Sequence, residues 1–203
     1  MAADLALILA IDGSASVNME YFGLIAGGTA AALRDPDIAA ALISGPNRAS
    51  EVALLLWSGA AEQDVLLDWT RLTSPADVAS FADAVDNMPR SIPAGLTAIG
   101  AALTVCENLI ARLPTRPTRR IVDLAGDGRN NDGPATEPVR DRLVAAGVTI
   151  NGLCVLHEEP DLRAFYQTAV IGGPSAFALT CPTYAAFADA MRQKLYRESL
   201  LVS

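Results

Sequence analysis

One histidine, His157, and three cysteines, Cys106, Cys154 and Cys181, with no C-x-x-C spacing, are all the soft-metal ligands in the chain, which argues against a structural zinc site. Basic residues are scarce as well. Fifteen Lys and Arg against 23 Asp and Glu leave a formal charge of −8, so nucleic acid is not an expected partner. The one basic cluster, Arg116, Arg119 and Arg120, precedes a strand and reads as a solvated connection rather than a phosphate-binding patch. No apolar stretch approaches the roughly 20 residues that cross a bilayer, and Asp4 interrupts the first one, so no membrane span is expected. That opening segment lacks a basic n-region and a cleavage site. It therefore reads as a strand, in a chain that is either cytoplasmic or a mature form whose leader has been removed. Neither a P-loop nor a G-x-G-x-x-G follows any strand, which argues against a nucleotide-binding domain.

What is present is apolar material: 51 % of 203 residues, ample for the core of a single domain spanning residues 1–203. Strand-length apolar runs fall at 5–11, 52–58, 65–70, 121–125, 149–155 and 176–180, and amphipathic helical stretches at 19–34, 75–87, 98–113, 137–146, 161–169 and 184–197. This alternation predicts an α/β, Rossmann-like three-layer sandwich: a mostly parallel six-stranded sheet with one antiparallel edge strand and helices on both faces. The connection 59–64 is too short for a parallel crossover, so the second and third strands should form an antiparallel hairpin. Cys106 reads as a small core residue of a helix. Cys154 and Cys181 end successive strands, and the two readings are a disulfide in an oxidising compartment or two buried thiols.

Polar residues gather where the strands end. Asp12-Gly13-Ser14-Ala15-Ser16 follows the first strand, Gly126-Asp127-Gly128 follows the fourth, and Gly95-Leu96-Thr97 opens a helix. In open α/β sheets ligands collect beyond the carboxyl ends of the strands, where strand order reverses. Singly, Asp and Ser at such places form turns or helix N-caps, and Thr97 is suited to capping. Together they offer hard oxygen ligands to one cation such as magnesium, which keeps some of its waters and leaves a position open.

These segments resemble the von Willebrand factor type A domain, whose metal-ion-dependent adhesion site joins a D-x-S-x-S loop, a distant threonine and a later aspartate. Asp12, Ser14, Ser16, Thr97 and Asp127 match in identity and order, within a G-x-T-x-I-G segment and a strand ending in x-D-G. Two departures stand out: Gly126 where threonine is common, and Gly13 where an apolar residue is frequent. The resemblance implies that Ser14 and Ser16 contact a cation directly. Thr97 and Asp127 would alternate between direct and water-mediated contact, with Asp12 holding coordinating waters. More narrowly, the segments Ala31-Ala32-Leu33-Arg34-Asp35-Pro36, Thr97-Ala98-Ile99-Gly100 and Val170-Ile171-Gly172-Gly173-Pro174 are similar to the bacterial DUF1194 family. That family is itself of uncharacterised function. Its members usually carry an export leader, implying a periplasmic or extracytoplasmic protein whose mature chain starts near Ala2.

The expected function is a non-enzymatic, cation-dependent protein-binding module. It would use Mg²⁺, or Mn²⁺ or Ca²⁺, to capture a Glu or Asp of a protein partner; oligomeric state is not legible. The rim would come from Asn18 to Tyr21, Arg90 to Gly95 and Arg129 to Thr136, with Asp132 a further rim candidate. One alternative is a structural or assembly subunit with a metal-independent interface. Another, a magnesium-dependent phosphatase resembling the haloacid dehalogenase group, needs an acid two residues after Asp12, where Ser14 stands. A serine hydrolase lacks its G-x-S-x-G elbow, and His157 reads as a loop residue. The run Asp127 to Gly133 fails the calcium-loop pattern, because Arg129 takes the third position. Trp57 and Trp69 read as packing residues.

Overall fold

Residues Leu5–Asp12 form β1, and all eight are buried. An uninterrupted apolar strand of this kind suits the middle of a parallel sheet, where both faces are covered. In the computed structural model, which describes residues 2–200, β1 is flanked by β2 (Ser50–Trp57) and β4 (Arg119–Gly126). The remaining strands are β3 (Gln63–Leu72), β5 (Thr149–Val155) and β6 (Ala178–Cys181), and the sheet order is β3-β2-β1-β4-β5-β6. Only the β2–β3 hairpin is antiparallel, which leaves β3 as the antiparallel edge. The reversal of strand order therefore lies between β1 and β4.

Successive side chains of a strand point to opposite faces. Leu5, Leu7, Leu9 and Ile11 accordingly enter one core with helices α1 (Met19–Leu33), α2 (Pro36–Leu42), α3 (Pro75–Asp86) and α7 (Phe187–Ser199). Ile8 and Ala10 enter the other core with α4 (Ile99–Ala111), α5 (Thr136–Ala145) and the short α6 (Leu162–Phe165). Trp57 is fully buried, and Trp69 Nε1 donates to the Leu109 carbonyl at 2.9 Å, tying β3 to α4. Both tryptophans are packing residues. Among the described residues no helix is long and apolar enough to cross a membrane.

Three local expectations are corrected. Helix α2 was not anticipated; Asp35 caps it by accepting from the amides of Asp37 and Ile38, and Pro36 pre-sets its first turn. The stretch 161–169 is not one regular helix, because α6 passes into a wide π-turn, Tyr166–Val170. The stretch 184–197 opens as a 3₁₀ turn, Tyr184–Ala186, before α7 proper. The cysteine alternatives are also decided: all three are free and buried. Cys181 is in register with Val155, not Cys154, so Cys154 faces the α4–α5 core and Cys181 the α1–α7 core. Burial pushes their thiols up, to about 12 for Cys154 and about 11 for Cys181.

Candidate metal centre

Asp12 is the last residue of β1, and Asp127 follows the last residue of the neighbouring β4, so the sheet itself places two carboxylates side by side. The chain then turns sharply. Asp12 Oδ1 accepts from the Ser14 amide at 2.7 Å, and the Gly13 amide donates to the Trp57 carbonyl at 2.7 Å. This brings the Ser14 and Ser16 hydroxyls to 3.2 Å of each other, and Ser16 Oγ donates to Asp127 Oδ1 at 2.8 Å. Thr97 does not cap α4, whose N-cap position is Ala98 without a side-chain cap. Its backbone is clasped by Asn131, which accepts from the Thr97 amide through Oδ1 at 2.8 Å and donates its own amide to the Thr97 carbonyl at 2.9 Å.

Ser16, Thr97 and Asp127 line one open cleft of about 180 Å³, together with Leu96, Asn131, Glu158 and Glu159. Asp12 and Ser14, each 1 % exposed, lie behind it. Burial, reinforced by the charge of Asp127, raises the Asp12 carboxyl to about 7. Asp12 Oδ2 is buried without a hydrogen-bond partner. An orphaned oxygen on an acid repelled by a neighbouring carboxylate, with two hydroxyls close by, is what a hard cation relieves. The donor set thus fits one divalent ion, although among the described residues no group of three or more His, Cys, Asp or Glu is placed to hold a metal.

Several further residues support the site: Asn18, Tyr21, Arg90 and Asp132 fall in the rim segments read from the sequence, whereas Tyr184 carried no signal there. Arg90 donates to the carbonyls of Gly13 and Ser14, at 2.9 Å each, and so braces the seryl loop. Tyr184 donates its hydroxyl to Asp127 Oδ2 at 2.7 Å, stacks on Tyr21 and is pushed above the usual phenol range by burial. Asn18 caps α1 by accepting from the Tyr21 amide. Asp132 accepts from the Ala60 amide at 2.7 Å, and Gly133, with φ +67°, completes the turn. His157 Nε2 lies 3.3 Å from the Tyr21 hydroxyl.

The departure at Gly126 has a structural reason. A Cβ there would lie 2.8 Å from Tyr166 Oη and 2.9 Å from Asp12 Oδ2. The buried Tyr166 phenol takes the space that a side chain on β4 would fill, crossing Gly152, where a Cβ would come within 2.5 Å of its ring.

The model of the DUF1194 family, described as a protein of unknown function, matches residues 2–201. The chain belongs to the DUF1194 family. No curated protein gives a significant match to this DUF1194 chain. Its fold is that of von Willebrand factor type A domains. Proximal thread matrix protein 1 from the mussel byssus, in a form with a zinc-occupied MIDAS motif (the metal-ion-dependent adhesion site), superposes with TM-score 0.62 at 21 % identity, over 95 % of this chain and 46 % of that one. A von Willebrand factor type A protein from Catenulispora acidiphila gives 0.64 at 17 %, over 98 % and 43 %. The vWF domain of the type V pili tip protein Mfa5 from Porphyromonas gingivalis gives 0.62 at 12 %, over 96 % and 95 %. The DUF1194 chain spans less than half the length of the first two. At these identities the likeness establishes the fold alone.

Proposed function

We propose that this DUF1194 protein is a non-enzymatic binding module. In it Asp12, Ser14, Ser16, Thr97 and Asp127 hold one divalent cation, magnesium first and manganese or calcium as alternatives, and a protein partner adds a Glu or Asp carboxylate through the cleft. The observation that carries this reading is the unpartnered, buried Oδ2 of Asp12, an acid repelled by the charge of Asp127 whose other oxygen holds the seryl loop with its Ser14–Ser16 hydroxyl pair. The bound cation supplies positive charge and an open position for that carboxylate, because neutral hydroxyls cancel little of its charge.

The chain's own residues do the positioning. Asp12 holds the seryl loop through the Ser14 amide, and Arg90 locks it from the other side. Ser16 and Tyr184 each bind one oxygen of Asp127 and so set the plane of its carboxylate. Leu96, 56 % exposed at the cleft, and Met19, 67 % exposed at the start of α1, offer apolar contacts around the charge, which suits a protein surface better than a small polar ligand. The zinc in the MIDAS motif of the mussel protein supports a divalent ion at this place in the fold. The pilus-tip relative of the same fold supports an extracytoplasmic setting.

The test is calorimetric titration of manganese and magnesium into metal-free protein, repeated on Asp12→Ala and on the Ser14→Ala, Ser16→Ala pair, with thermal unfolding as the fold control. Saturable binding that disappears in the folded variants is the expected result. No binding by the intact chain would transfer the function to a metal-independent assembly surface.

A further inference from the structure

The chain contains a single lysine, Lys194, and it is completely buried. On α7 its Nζ lies 2.6 Å from Asp123 Oδ1 of β4 and donates to Glu198 Oε1, one helical turn on, at 2.6 Å. Asn151 Nδ2 of β5 donates to the same Glu198 oxygen at 2.8 Å, and the Phe177 ring covers the amine with its centroid 5.9 Å away. Asp123 is itself 0 % exposed.

Two details set this cluster apart from an ordinary buried ion pair. The short contact between Lys194 and Asp123 lacks the directionality of a hydrogen bond: no N–H points at either Asp123 oxygen, and Glu198, when protonated, is the group placed to donate to Asp123. A charge-assisted pair selected for stability points its N–H groups at carboxylate lone pairs. In addition, two buried acids share one buried amine. Burial, then the charge of Asp123, pushes Glu198 up to about 8, so it carries a proton at neutral pH.

We propose that Lys194 and Asp123 condense to an intramolecular amide that staples α7 to β4, with Glu198 as the proton carrier. Across the 2.6 Å contact the Lys194 ammonium first passes one proton to the Asp123 carboxylate. The neutral Lys194 Nζ then attacks Asp123 Cγ, forming the C–N bond. Glu198 donates its proton to the departing Asp123 hydroxyl and recovers one from the attacking nitrogen. The C–O bond breaks and one water leaves. Nothing is oxidised or reduced, and Glu198 ends as it began. Amide formation between free amines and acids is unfavourable in water, but held reactants reach effective molarities on the order of 10⁵–10⁸ M, and the water produced leaves by the pocket that Asn151 and Glu198 line. Asn151 anchors Glu198 and so acts as a positioning residue.

The lone lysine makes the test simple, because a protease that cuts only after lysine has one site in the whole chain. Intact mass and digestion under denaturing conditions are measured on the full chain, on Glu198→Gln and on Lys194→Arg, with circular dichroism as the fold control. The wild type should weigh one water less than its sequence and resist cleavage at Lys194. Glu198→Gln should show the full mass and be cut. A wild type of full mass that is cut would overturn the proposal and leave Lys194 as a plain ion-pair partner. A water loss that persists in Lys194→Arg would overturn it too, since it would then arise elsewhere, as at the Asp127-Gly128 pair. Loss of ammonia in place of water would overturn Asp123 as the acyl donor in favour of Asn151. If Glu198→Gln fails to fold, the wild-type mass and digestion alone decide.

Discussion

Two places in this protein hold a pair of buried carboxylates, and they resolve the repulsion differently. Beneath α7, Asp123 and Glu198 share the amine of Lys194, a partner built into the chain. At the carboxyl ends of β1 and β4, Asp12 and Asp127 have hydroxyls, a phenol and backbone amides around them, and Arg90 nearby spends its donors on the carbonyls of Gly13 and Ser14. Both places push one acid up, Glu198 to about 8 and Asp12 to about 7. In the first, Lys194 and Asp123 are fully buried, while Ser16, Thr97 and Asp127 of the second line an open cleft. A partner supplied by the chain itself makes a permanent part of the fold. On the function proposed above, a pair of acids without one, reached from an open cleft, takes its partner from solution.

Four experiments break or sharpen that contrast. Lys194→Met removes the amine that ties α7 to β4 and leaves Asp123 and Glu198 buried without it; about 3–5 kcal/mol of unfolding stability should be lost, measured by urea denaturation. The effect of pH on Asp12 should come next. Its folded value of about 7 lies above the ordinary 3.8, so the folded, metal-free chain binds the proton more tightly than the unfolded chain. This contribution to stability is fully present below about pH 4 and is lost as pH rises through about 7, amounting to about 2–4 kcal/mol. Asp12→Asn should flatten the wild-type slope between pH 4 and pH 8, and magnesium should protect the wild type more at pH 8 than at pH 5. An unchanged slope would contradict the burial argument.

Third, Gly126→Ala forces a methyl group between Tyr166 Oη and Asp12 Oδ2, at a cost of about 1–3 kcal/mol, and should also weaken manganese binding. Thermal melts and titration read the two effects separately. The smallest effect belongs to Tyr184→Phe, which removes one hydrogen bond to Asp127; stability should fall by about 1 kcal/mol, with manganese affinity shifting by less than about tenfold. If Tyr184→Phe abolished binding, the phenol would be an essential partner of the ion site and not just an orienting group.

Much of this was readable from residue order. Apolar runs of strand length separated by helical stretches predict the layered sheet, and the brevity of 59–64 predicts the one antiparallel pairing. Once strands one and four are neighbours, Asp12 and Asp127 must share a layer, because both sit at carboxyl ends. Other features were not readable. Helix α2 has a legible start in Asp35-Pro36, but its seven residues are too few for a helical period to show. Cys154 and Cys181 looked matched along the chain; a shift of one residue in register put them on opposite faces. Tyr166 and Tyr184 reach the site from turns, where no periodicity reports direction, and Arg90, read only as part of the rim, braces the seryl loop.

The sequence by itself determined the elements and the chemistry at their ends: which runs are buried, where the chain must turn, and that Asp, Ser, Ser, Thr and Asp stand at strand or helix boundaries. Local propensity and hydrophobic period act over a few residues, so they are written in residue order. Only the tertiary structure decided that Tyr166 fills the space above Gly126 and that Tyr184 holds Asp127. It also decided that Lys194 turns inward to meet Asp123 and Glu198. Those contacts join residues far apart in the chain, and their strength depends on exclusion of water, which exists only once the sheet and both helical layers have closed.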